Sequence, residues 1–161
     1  MCLKILYDKE KTTKFIEGAA NSKGHITVYK IVEINDERYE PPFMFLTQSY
    51  KNGLNTALII NNIRIVHKGQ DTGKTYRSGF HFYVMKNVAI ETMKMMLEEK
   101  VFEATYRVIK CIIHKSWITS VGIDVIGEGK AVVTSNANFP SFGDEESIVK
   151  EITNQRKEIC V

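Results

Sequence analysis

The stretch that most constrains this chain is Thr72–Ala89, TGKTYRSGFHFYVMKNVA. A basic, glycine-bearing lead-in passes into the strand-like run Phe80–Val84, and that run passes directly into the most periodic helical pattern of the sequence. Asn87 is a fair N-cap, and over Val88–Lys100 the residues Ala89, Ile90, Met93, Met96 and Leu97 share one face. The methionine stripe reads as core, because unbranched thioethers fill irregular apolar gaps. A strand that runs straight into an amphipathic helix needs a sheet on which both can pack.

The flanks supply that sheet. Ile26–Ile34 (ITVYKIVEI) is rich in β-branched residues and ends at Asn-Asp, a turn signal. Ala57–Val66 reads as a second strand, with Asn61-Asn62 marking either a hairpin turn or a bulge. Ala104–His114, Trp117–Val125 and Lys130–Ser135 follow as further extended runs. Leu3–Tyr7 is either a short strand or part of an N-terminal arm, and Lys11–Ala20 has helical spacing. Pro41-Pro42 confines Arg38–Phe43 to a sheet edge or strand end, Phe43–Leu46 is apolar enough to enter the core, and Ser49–Asn55 reads as a loop. His67–Ser78 is polar and reads as a mobile loop of the kind that carries function. Pro140–Gly143 reads as a loop and Asp144–Ile159 as a terminal helix capped by Asp144.

Sequential strands with few helices between them predict a single α+β domain. Its sheet is expected to be mostly antiparallel and twisted, with six to eight strands and two or three helices. The 161 residues are enough to bury a core, and 43% hydrophobic with 25% charged residues is ordinary for a globular chain. No run is apolar for long enough to span a bilayer, and the N-terminus lacks the core of a signal peptide, so a cytoplasmic location is expected. Cys2, Cys111 and Cys160 make an odd set without CxxC spacing, which argues for reduced thiols rather than a disulfide scaffold or zinc site. A net charge of +3 permits an anionic partner, but there is no dense basic block, so nucleic acid is not the expected partner.

Gly69-Gln-Asp-Thr-Gly73-Lys74-Thr75 imitates a phosphate loop but has three residues between its glycines where the loop needs four, and it leads into a strand. Lys74 and Arg77 can still meet an anion there. His25, His67, His81 and His114 show no metal-binding spacing, so no metal or cofactor is expected. If Phe80 and Phe82 enter the core, His81 and Tyr83 share the opposite face, within reach of Arg77. His81 reads either as a satisfied core or edge histidine or as an imidazole presented to a ligand; a ligand with a ring and a phosphate suits such a surface, which could equally be simply solvated. Asp71, Asp124, Glu128 and Asp144 fall in turns or caps, and no catalytic set can be assembled.

Tyr29-Lys30-Ile31-Val32, Ser78-Gly79-Phe80-His81-Phe82 and Tyr106-Arg107-Val108-Ile109-Lys110-Cys111 follow one another in that order, and a β stretch ending at Val132-Val133 comes after them. This order resembles a group of small phage and viral proteins of unknown function, and is similar to the C-terminal region of the rapid-lysis B proteins of T-even phages. The resemblance implies a phage-encoded, non-catalytic protein acting in the cytoplasm of an infected host. Such a protein would inhibit a defence system by sequestering a nucleotide second messenger or by blocking a host defence protein, and a homodimer would suit it. The order is also similar, more faintly, to an ADP-ribosyltransferase core, which implies a nucleotide-acting enzyme. Lys30 would then replace the usual basic residue of the first strand, while the Ser-Thr-Ser and Glu-x-Glu motifs are missing. A protein-interaction module is the remaining alternative. The ligand-binding candidates are Lys30, Lys74, Arg77, His81 and Tyr83.

Overall fold

The computed structural model describes residues 3–42, 49–57, 62–98, 105–126 and 128–143. In chain order these form β1 (Leu3–Leu6), α1 (Lys9–Ala19), β2 (His25–Asn35), β3 (Arg38–Glu40), β4 (Gly53–Thr56), β5 (Asn62–His67), β6 (Gln70–Arg77) and β7 (Phe80–Tyr83). Then come α2 (Lys86–Glu98), β8 (Thr105–His114), a 3₁₀ turn (Lys115–Trp117), β9 (Ile118–Asp124), β10 (Lys130–Thr134) and β11 (Asn136–Phe139).

The long β-branched runs find each other. β2 pairs antiparallel with β8 along its length, from His25↔His114 to Ile34↔Thr105. They lie inside a nine-stranded antiparallel sheet ordered β1-β9-β10-β7-β2-β8-β11-β4, with β3 folded back onto the far end of β2. This is the expected single α+β domain. Alternation along β2 sends Ile26, Val28 and Val32 to one face, where they join Phe82, Ile109, Cys111, Val132 and Phe139. Ile31 goes to the other face, where Tyr83, Tyr106 and Val108 meet Ala89, Met93 and Met96 of α2. The methionine stripe is therefore core, as its spacing indicated.

The strand count exceeds the six to eight expected, because polar residues also form strands. Gln70–Arg77, read from sequence as part of a mobile loop, is β6. It pairs with β5 in a separate two-stranded hairpin closed at Lys68-Gly69, both with positive φ. The only buried residue of β6 is Tyr76. It packs with Ile65 on Leu3, Ala131 and Val133, so the hairpin lies over the α2 face of the main sheet. The stretch that imitated a phosphate loop is the turn and bulge of this hairpin, where the Asp71 carboxylate accepts from the Gly73 N–H. Gly53–Thr56, which overlaps the loop expected over Ser49–Asn55, is β4, paired with β11. Leu3–Leu6 is an integral strand paired with β9, not a detached arm. Phe43–Leu46, part of Ala57–Val66, the terminal helix from Asp144, Cys2 and Cys160 lie outside the described residues.

The glycine of the Ser78-Gly79-Phe80 run has a steric reason. A Cβ at Gly79 would stand 2.3 Å from the Thr134 carbonyl oxygen, so β7 enters beside β10 only without a side chain there.

Candidate functional site

The alternation expected of β7 holds. Phe80 and Phe82 turn toward the aromatic cluster of one face, while His81 and Tyr83 turn to the other. That second face is not an open surface. The Tyr76 ring of the hairpin stands edge-on to the His81 ring at 5.8 Å, and α2 covers Tyr83. His81 is 8% exposed and Tyr83 is fully buried, its hydroxyl donating to Asp124 Oδ2 at 2.8 Å. Burial, then the Asp124 carboxylate, raises the Tyr83 hydroxyl above its usual range.

The candidate residues therefore separate. Lys74 and Arg77 sit exposed on the hairpin, whereas the imidazole they were expected to accompany is buried. His81 and Lys30 do meet, but through backbone: Lys30 Nζ donates to the His81 carbonyl oxygen at 3.0 Å. Burial first, and the neighbouring Lys30 charge second, push the His81 pKa down to about 3, so the ring is neutral at physiological pH. Among the described residues its Nδ1 has no hydrogen-bond partner. At 8% exposure the imidazole is largely closed to a ligand, whereas Lys74 and Arg77 face outward.

Lys30 occupies the more consequential place. It is 4% exposed, on the aromatic face, with its ammonium 5.4 Å from the Tyr50 ring centre and 5.3 Å from that of Phe82. Tyr50 stacks on Phe139 at 4.4 Å and meets Phe80 edge-on at 5.8 Å, so the cation is enclosed by rings. The ion pairs formed among the described residues are Lys4–Glu128, Arg64–Asp71 and Lys94–Glu91, none of which involves Lys30. Burial pushes the Lys30 pKa down to about 8, partly offset by the Cys111 thiol. Burial also pushes the Tyr50 hydroxyl above its usual range.

Tyr50 links this enclosed cation to the surface. It lines a cleft of about 600 Å³ together with Glu37, Arg38, Tyr39, Ser49, Lys51, Asn52, Pro140 and Phe142. The fold assembles it from the β2–β3 turn, the approach to β4 and the exit from β11. Asp36 and Glu37 take positive φ in that turn, which brings Arg38 and Tyr39 back along β2. Tyr50 N–H donates to the Tyr39 carbonyl at 2.7 Å, tying the two sides together. Asn55 holds the Lys51–Gly53 turn by accepting from Lys51 N–H and donating to the Lys51 and Gly53 carbonyls. Phe142 packs on Tyr39 at 5.4 Å and carries the Arg107 guanidinium at 5.5 Å.

Sequence reasoning missed this cleft, because its residues come from segments read as edge strand and loop. The available signal was aromatic and cationic neighbours flanking turns: Arg38-Tyr39, Tyr50-Lys51 and Phe142. Among the described residues no group of three or more His, Cys, Asp or Glu side chains is placed to hold a metal ion, and no helix is long and apolar enough to cross a membrane. Compared with known families, curated proteins and solved structures, the chain matches none.

Proposed function

We propose that this is a non-catalytic binding protein whose ligand is a small, planar anion of the nucleotide class, held in the Tyr39–Tyr50–Phe142 cleft. The observation that carries this reading is the composition of the cleft: three aromatic side chains with two cations, Arg38 and Lys51, against one acidic lining residue, Glu37, in a space of about 600 Å³. That volume lies within the ordinary range of small-molecule sites. Aromatic walls favour a ring whatever its substituents, and a guanidinium with an ammonium favours a phosphate. The phage-protein resemblance supplies a setting: sequestering a nucleotide signal would silence a defence system of an infected host.

A thermal-shift series with nucleotides tests the proposal. A ligand held at about a hundred times its Kd should raise the melting temperature by roughly 5–10 °C. The rise should disappear in Arg38→Ala and in Lys51→Ala and persist in Arg77→Ala. A flat response to every nucleotide would sink the ligand class. A rise lost in Arg77→Ala would return the site to the hairpin.

A further inference from the structure

We propose that Lys30 is the positioning charge of this cleft: its ammonium, held behind the Tyr50 ring, makes the cleft select anions over neutral ligands of the same shape. The inference rests on the nucleotide reading of the cleft and deepens it. Its ground is geometric. A lysine has three donors, and Lys30 spends one on the His81 carbonyl while the Tyr50 and Phe82 rings surround the rest. The groups that face it are Tyr50 from the approach to β4, Cys111 from β8 and His81 from β7, and His81 is neutral. Cys111 offsets its positive charge only in part and no carboxylate among the described residues pairs with it, so in a poorly solvated surrounding its field reaches the cleft across one aromatic ring. Arg38 and Lys51 contact a phosphate from the surface, whereas Lys30 touches no ligand and acts through Tyr50.

This arrangement gives the cleft a pH response. Lys30 keeps its proton below about 8 and loses it above, so the field on the cleft switches off as pH rises through that value. Adenosine monophosphate and adenosine serve as a matched pair of probes, since they share the ring and differ in charge. The phosphate is doubly charged above its second pKa of about 6 and does not itself titrate in the relevant range.

Calorimetric titration of the whole protein between about pH 7 and about pH 9.5 reads the effect. For the wild type, affinity for adenosine monophosphate should fall about tenfold, the fall setting in near 8, while affinity for adenosine stays level. Lys30→Met should lower monophosphate affinity about tenfold at neutral pH, spare adenosine and lack the step. Lys30→Arg should keep the neutral-pH affinity and also lack the step, because a guanidinium does not deprotonate there. Monophosphate binding without a step in the wild type overturns the role of Lys30 whatever the variants do. An equal loss of both probes in Lys30→Met shows a structural role only and overturns it as well. If neither probe binds the wild type, the nucleotide reading itself falls and takes this inference with it.

Discussion

Acidification from pH 6.5 toward 3 is expected to remove up to about 5 kcal/mol of stability through His81 alone. The ordinary imidazole pKa is 6.5, while in the folded protein it is pushed down to about 3 by burial and by the Lys30 charge. Below 6.5 the unfolded chain takes up a proton that the folded chain refuses, so stability falls with pH and levels off near the folded value. Refusal has a structural basis: Tyr76 covers the ring, and its Nδ1 has no partner among the described residues. Urea midpoints measured across this range should therefore fall more steeply for the wild type than for His81→Phe. The variant keeps an aromatic ring against Tyr76 and has nothing to protonate. Carboxylates titrate in both proteins, so the difference between the two curves isolates His81. Parallel curves would show that the imidazole is not buried as described.

Replacing Lys30 with Met should stabilise the protein at neutral pH by about 2 kcal/mol. The gap between the ordinary lysine value of 10.5 and about 8 corresponds to about 3 kcal/mol of penalty on the charged form. Losing the hydrogen bond to the His81 carbonyl gives back about 1 kcal/mol. The sign is opposite to that of a paired lysine. Between about 8 and 10.5 the unfolded chain holds the proton and the folded chain does not, so wild-type stability rises with pH across that window. The advantage of Lys30→Met should shrink over the same interval. A variant less stable than wild type at pH 7 would mean that the cation–ring contacts outweigh desolvation. A charge that costs the fold at working pH is of the kind found at functional sites.

What could be read from the sequence was what is periodic. Ile26–Ile34 and Ala104–His114 alternate or run apolar over long stretches, and Ile26–Ile34 pairs with Thr105–Ile113 at the centre of the sheet. The α2 stripe and the Phe80/Phe82 alternation were equally plain. β6 was not, because a hairpin strand with one buried residue carries almost no pattern, and its pairing is set by the turn and by β5. The covering of His81 followed from that omission: its core reading and its ligand-facing reading could not be told apart while Tyr76, which closes that face, was read as part of a loop. The cleft was illegible for a different reason. Arg38, Tyr50 and Phe142 are far apart in the chain and converge only through turns, one of them with Asp36 and Glu37 in positive φ. Lys30 was singled out by its place in a motif, but only the fold shows that it is enclosed by rings rather than presented to a ligand.

The most direct test of the account is where a nucleotide touches the protein. Amide chemical shifts should be followed as adenosine monophosphate is added to labelled protein at neutral pH. Saturable changes are expected, centred on Arg38, Tyr50, Lys51 and Phe142, with Lys74 and Arg77 unmoved. Changes centred on Lys74 and Arg77, or none at saturating ligand, would contradict it.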